Sequence, residues 1–276
     1  MTKPDISQKT LAPLTLPDSV SEIHTFLVDQ GVSPSIDSAI ILGSGLGGFG
    51  ERIENAKTIP YSRIPFFPKP TVEGHSGALI FGDVENKSVI AFSGRFHHYE
   101  GHSFAKTVLP VQLAKAFDVE KLIISNAAGG INLRYKVGDL MIIDSFIKQY
   151  MMVSEPASYN WRSDLEQSAE EVQEIASGLG IETKTGTYLY VKGPNYESKA
   201  EIHAFRKMGG DAVGMSTVPE LIEAARLEIK TAAVSLITNA AAGVTKDKLD
   251  HAEVKRAGEE KKEVFARLVT GLIREF

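Results

Sequence analysis

Cysteine is absent from these 276 residues. That excludes a disulfide framework and thiolate chemistry, and it fits a reducing compartment. No apolar run approaches the ~20 residues that a membrane-spanning helix needs. The opening stretch "MTKPDISQKTLAPLTLPDS" lacks the long apolar core of a signal peptide. An excess of basic residues is missing as well. Net charge is −5 and the lysines and arginines are spread along the chain, so no nucleic-acid groove is expected. The H-E-x-x-H motif of a helical zinc pair is absent, so no metal is expected. What is present is an ordinary globular balance, 43% hydrophobic and 24% charged, which argues against disorder. These features predict a soluble cytoplasmic enzyme.

Apolar runs and amphipathic stretches alternate along the whole length. Residues 1–18 are polar and contain proline, and they read as a loose arm. "SVSEIHTFLVDQG" has helical apolar spacing and a stop at Gly31. "SAIIL" is a buried strand that feeds a glycine loop. "GALIFGDVENKSVIAFSG" reads as two strands about a turn at Glu85–Lys87. "SFAKTVLPVQLAKAFDV" reads as one helix with Pro110 as an interior blemish. "KLIISNAAGG", "GDLMIID", "KTGTYLYVKGP", "DAVGMS" and "KTAAVSLITNAAAG" read as strands. Helices are expected over "DLEQSAEEVQEIASGLG", "SKAEIHAFRKMGG", "TVPELIEAARLE" and the C-terminal stretch from "DHAEV". No linker-like break interrupts the pattern. It predicts one α/β domain over 1–276, with a mixed, largely parallel central sheet flanked by helices.

Gly43, Gly45 and Gly48 in "ILGSGLGGFG" match the G-x-G-x-x-G spacing of a dinucleotide turn. That reading requires a βαβ unit and an acid about 20 residues further on. The glycines instead run into "ERIENAKTIPYSRIPFFPKP", which is rich in proline and has no suitable acid. A small phosphate loop built around Ser44 suits the stretch better. "SNAAGG", "GMSTVPE" and "TNAAAG" likewise place small residues just past apolar runs. In open α/β sheets ligands bind at those strand ends, and small residues let backbone N–H groups approach an anion. Arg95, which follows a strand and a glycine in "SGRFHHYEGH", offers a fork of donors suited to phosphate. Glu100 is close enough in sequence to orient a histidine, and His98 and His102 read as structural residues. In "GPNYE", Tyr196 beside Glu197 suits a planar heterocycle that is stacked on the ring and hydrogen-bonded to the carboxylate.

In this order, "GSGLGG", "TVEGHSG", "GRFHHYEGH", "SNAAGGIN", "GTYLYVKGPNYES", "DAVGMSTVPE", "SLITNAAAG" and "DHAEV" resemble the trimeric purine nucleoside phosphorylases. The resemblance implies phosphorolysis of 6-oxopurine ribonucleosides and deoxyribonucleosides, with inorganic phosphate as co-substrate and no cofactor. It implies phosphate among Ser44, His75, Arg95, His97, the backbone of Ala127, and Ser216. It implies the nucleoside among Tyr99, Tyr196, Glu197, Met215, Asn239 and His251, with His97, Glu197, Asn239 and His251 as the catalytic set. In such proteins an aspartate at the base-reading position goes with 6-aminopurines and an asparagine with 6-oxopurines, so Asn239 implies inosine and guanosine.

The chain departs from that pattern after "LMIID", where it reads "SFIKQYMMVSEPASYNWRSD". In the family this loop builds the subunit contact and sends an aromatic residue into a neighbour's ribose pocket. Tyr150, Tyr159 and Trp161 are the candidates, and the sequence leaves the choice among them open. A homotrimer is implied by resemblance alone. The rival readings are a xanthosine-preferring or methylthioadenosine phosphorylase, a hydrolase that uses water in place of phosphate, and a non-catalytic nucleoside-binding homologue.

Overall fold

The computed structural model describes residues 16–44, 46–68, 77–150, 162–245 and 251–276. The expected arm therefore falls outside the described residues as far as residue 15, and Asp18 already belongs to the first helix.

The elements run in the order α1 (Asp18–Asp29), β1 (Ser38–Leu42), β2 (Glu54–Pro60), β3 (Ala78–Val84), β4 (Lys87–Ser93), α2 (Phe104–Thr107) and α3 (Leu109–Ala116). They continue with β5 (Lys121–Gly130), β6 (Leu140–Lys148), α4 (Arg162–Gly178), β7 (Thr183–Tyr190), α5 (Lys199–Lys207), β8 (Ala212–Gly214), α6 (Val218–Arg226), β9 (Lys230–Ala240) and α7 (His251–Glu275). Helix α1 buries Val20, Ile23 and Leu27, one stripe of a 3.6-residue period. It ends as expected at Gly31, whose φ of +84° is open to glycine at little cost. Glu85 and Asn86, both at positive φ, make the two-residue turn between β3 and β4, so Lys87 is already strand.

Two expectations need correction. Pro110 is not an interior blemish, because the predicted helix breaks at Val108 and Pro110 sits in the first turn of α3. A proline is tolerated there, since first-turn N–H groups have no intrahelical acceptor. The proline-rich stretch after the glycine loop also contains a strand, β2, in which only Ile59 is buried.

The strands form one sheet in the order β2-β3-β4-β1-β5-β8-β7-β6-β9. Among the described residues, five of the nine strand pairings are parallel, which makes the sheet mixed with a parallel centre. Strand β9 also pairs with β5, so β5, β9, β6, β7 and β8 close into a ring. β1 is buried at every position, as a strand covered on both faces must be. One apolar cluster gathers Ile41, Phe92 and Ile124 with α1, α3 and α6, and a second gathers Ile40, Ala91 and Ile123 with α4 and α7. The ends of β1, β4, β5, β7, β8 and β9 converge where the ring meets the open part of the sheet.

Candidate active site

At that convergence lies a cleft of about 340 Å³. Each wall is the end of a different strand. Ser44 follows β1; Arg95, His97 and Tyr99 follow β4; Ala127, Ala128 and Gly129 end β5. Pro194, Tyr196 and Glu197 lie between β7 and α5. Val213 to Ser216 run from β8 towards α6, and Thr238 and Asn239 come from β9. Ten of the sequence-predicted residues thus meet in one place. His75 lies outside the described residues, and of His251 only the backbone, at the start of α7, is described. A cleft of about 360 Å³ near α4 and α6, bounded by Phe146, Leu165 and Leu221, holds none of the predicted residues.

One end of the cleft is rich in donors. Arg95 is 2% exposed. Its Nε donates to Glu220 Oε1 at 3.0 Å, and its Nη1 donates to Ser125 O at 2.9 Å and Ser216 Oγ at 3.1 Å. Nη2 is buried and has no partner among the described residues. His97 is held by Glu100, whose Oε1 accepts from the His97 backbone N–H at 2.8 Å and sits 3.0 Å from Nδ1. Glu100 therefore orients a histidine, as its place in the sequence suggests. Gly43 lets this end close up. A Cβ there would lie 2.6 Å from both Asn126 Cα and Ser125 O.

The lining also holds an aromatic stack. Tyr99 stacks on His97, with centroids 4.7 Å apart at 20°. Burial, with smaller effects from the Glu100 and Tyr196 charges, raises the Tyr99 phenol to about 12, so it keeps its proton. Gly193, at φ +71°, permits this packing, because a Cβ there would collide with Met215 Sδ and lie 2.9 Å from Tyr99 Cδ1.

Asn239, also in the lining, is buried on β9. Its Oδ1 accepts from Thr238 Oγ1 at 3.0 Å, and its Nδ2 donates to Ala240 O at 3.2 Å. Tyr196 is 51% exposed at the mouth. Glu197 does not begin a helix. It precedes Ser198, the N-cap of α5, where Ser198 and Glu201 make a reciprocal capping box. The Glu197 side chain is half-buried, and desolvation, with the Glu201 charge adding, lifts its pKa above the ordinary 4.5.

His98 and His102 do not reach the cleft. His98 Nδ1 lies 2.9 Å from His102 O, and the His102 ring meets the edge of Phe96. Tyr150 packs inside its own chain against His98 and Tyr190, while Tyr159 and Trp161 lie outside the described residues. The divergent stretch that holds them begins as strand, since Ser145–Lys148 extend β6 alongside β7. Thr238, which lines the cleft, and Glu220, which is 1% exposed and holds Arg95, are not among the residues singled out from sequence, since a threonine in a strand and a glutamate in a helix carry no distinguishing signal. Among the described residues, no group of three His, Asp or Glu could hold a metal, and no helix is long and apolar enough to cross a membrane.

Residues 38–274 match the family model of the phosphorylase superfamily, and the chain belongs to that family. Within it, the relatives are purine nucleoside phosphorylases. The chain is 44% identical to purine nucleoside phosphorylase 1 of Geobacillus stearothermophilus over 272 residues, covering 93% of this chain and 97% of the relative. It is 42% identical to purine nucleoside phosphorylase 1 of Bacillus subtilis, covering 90% and 96%. Among solved structures, Schistosoma mansoni purine nucleoside phosphorylase in complex with inosine superposes with a TM-score of 0.83 at 31% identity, covering 94% and 96%.

Proposed function

We propose that this chain catalyses phosphorolysis of 6-oxopurine nucleosides, ribo and 2′-deoxy, releasing the free base and α-(deoxy)ribose 1-phosphate. One observation carries the reading. A single cleft is lined both by Ser44, Arg95, His97, Ala127 and Ser216, whose donors suit an anion, and by Asn239 and Glu197, an amide and a carboxylate suited to a base. The likeness to purine nucleoside phosphorylases along most of the chain supports it.

In this reading phosphate sits at the donor end, with His75 as a further ligand. A phosphate oxygen bonds to C1′ as the N-glycosidic bond breaks, and the bond's electron pair leaves with the purine. Bound phosphate also faces the positive charge that grows on the ribose. Holding it beside C1′ removes the entropy of a bimolecular encounter. Asn239 donates to N7, where the departing base gathers charge, and faces O6. The ionised Glu197 accepts from N1–H and from a 2-amino group when one is present. Tyr196 lies against the base. Tyr99 and the Met215 backbone hold the ribose hydroxyls, and His251 reaches the 5′-hydroxyl. The reaction needs no metal or organic cofactor. The enzyme works as one domain, in the cytoplasm and as a homotrimer.

The test is a phosphate-dependent assay with inosine, guanosine, xanthosine, adenosine and methylthioadenosine. Inosine and guanosine are expected to be the good substrates. Preference for methylthioadenosine or xanthosine, or turnover independent of phosphate, would overturn the reading.

A further inference from the structure

The sequence Thr217-Val218-Pro219-Glu220 opens α6 with the T-x-x-E pattern of a capping box. Helix α5 uses the equivalent Ser198 and Glu201 in that way, each side chain closing on the other's backbone N–H. Helix α6 does not. Thr217 makes no side-chain cap, and both members of its pair turn elsewhere. Thr217 Oγ1 accepts from Asn126 Nδ2 at 2.9 Å, and Glu220 Oε1 accepts from Arg95 Nε at 3.0 Å.

The local backbone is strained. Thr217 sits at φ +75°, ψ −48°, and Val218 N–H donates to Ser216 O across it at 2.8 Å, which makes a positive-φ γ-turn. A β-branched residue rarely adopts that region, and such a residue persists only where its surroundings enforce it. Here they do, through a ring of hydrogen bonds. Arg95 Nη1 bridges Ser125 O at 2.9 Å and Ser216 Oγ at 3.1 Å. Ser216 Oγ lies 3.3 Å from Thr217 Oγ1, and Asn126, next to Ser125 in the chain, closes the ring. Asn126, Thr217 and Glu220 are each at most 1% exposed and do not line the cleft, whereas Arg95 and Ser216 do.

We infer that Asn126, Thr217 and Glu220 are positioning residues of the anion end. The helix gives up its cap, and the freed side chains brace the turn that carries Ser216 and fix the plane of Arg95. The Asn126–Thr217 bond is the brace of the turn. This inference rests on the assignment of that end to phosphate.

The test is a set of steady-state measurements on the full-length enzyme, with the KM for phosphate and for inosine read separately. Thr217→Val keeps the branched shape and removes the hydroxyl, and with it the bond from Asn126 and the contact to Ser216 Oγ. Asn126→Ala removes the donor from the opposite side without touching the turn. Each should raise the phosphate KM about tenfold, the usual scale of one lost buried hydrogen bond, and leave the inosine KM within about twofold. Thr217→Ser retains the hydroxyl and should restore the parent values. Because both variants break the same Asn126–Thr217 bond, their combination should be no worse than the poorer single variant. Circular dichroism confirms folding, and Asn126→Ala carries the test if Thr217→Val does not fold. Arg95→Ala is the control. If it leaves the phosphate KM unchanged, the assignment of the anion end fails. If it raises that KM while Asn126→Ala and Thr217→Val do not, or move both KM values alike, the brace is refuted and the assignment stands.

Discussion

Thr238 Oγ1 donates to Asn239 Oδ1 at 3.0 Å, inside the cleft and on the strand that carries both residues. The bond fixes which way the Asn239 amide faces, because Oδ1 is engaged by a donor and Nδ2 keeps a hydrogen beyond its bond to Ala240 O. Thr238→Val keeps the shape and removes the donor. The expected loss in kcat/KM for inosine is about fivefold, on the scale of ~1 kcal/mol for one hydrogen bond, with the phosphate KM unchanged. A variant indistinguishable from the parent enzyme would show that Thr238 does not set the amide.

Asn239 itself should decide between 6-oxo and 6-amino bases. Adenosine places a donor where inosine has O6, and it lacks the N1–H that Glu197 accepts. Each mismatch leaves polar groups unpaired at a cost of ~1–3 kcal/mol, so adenosine should be the poorer substrate by at least tenfold. In Asn239→Asp a protonated carboxyl can donate to N7 while its other oxygen accepts from the 6-amino group. The ratio of kcat/KM for adenosine over inosine should rise. An unchanged ratio contradicts the role of Asn239 as base reader.

Glu197 should give inosine binding an acid limb. Its pKa is raised above 4.5 by desolvation, and the ionised form is the stronger, charge-assisted acceptor of N1–H. Affinity, measured by titration without phosphate, should therefore fall as pH drops through that raised value. Glu197→Gln, which cannot titrate, should flatten the profile. The stability linkage has the opposite sense. A carboxyl with a raised folded-state pKa binds its proton more tightly when folded, so its cost to stability is present above that pKa and fades as pH falls. An acid limb that survives in Glu197→Gln assigns the titration to another group.

Gly193→Ala should separate the two ends of the cleft. Its added Cβ meets Met215 and Tyr99, and its φ of +71° is unfavourable to alanine. The inosine KM should rise at least tenfold, for ~1.4 kcal/mol or more, while the phosphate KM changes little. Equal losses at both substrates would mean that Gly193 supports the fold as a whole.

The sequence was readable where local chemistry and position coincide. Small residues after apolar runs located the strand ends, and the ten predicted residues that meet in the cleft all lie there or on the loops that follow. Strand β2 escaped because six of its seven residues are not buried, which leaves no alternation to detect. Pro110 misled because a proline in an apolar helical stretch reads as a defect until the break at Val108 is seen. Glu220 and Thr217 were illegible for a different reason. Their motif specifies a helix cap, and only the tertiary approach of Asn126 and Arg95 draws them away from it.

The central claim is that phosphate, not water, takes the ribose at this cleft. The direct measurement is product analysis of inosine turnover with and without inorganic phosphate. The account predicts hypoxanthine and α-ribose 1-phosphate in equal amounts, with negligible turnover when phosphate is omitted. Free ribose formed at the same rate without phosphate would contradict it.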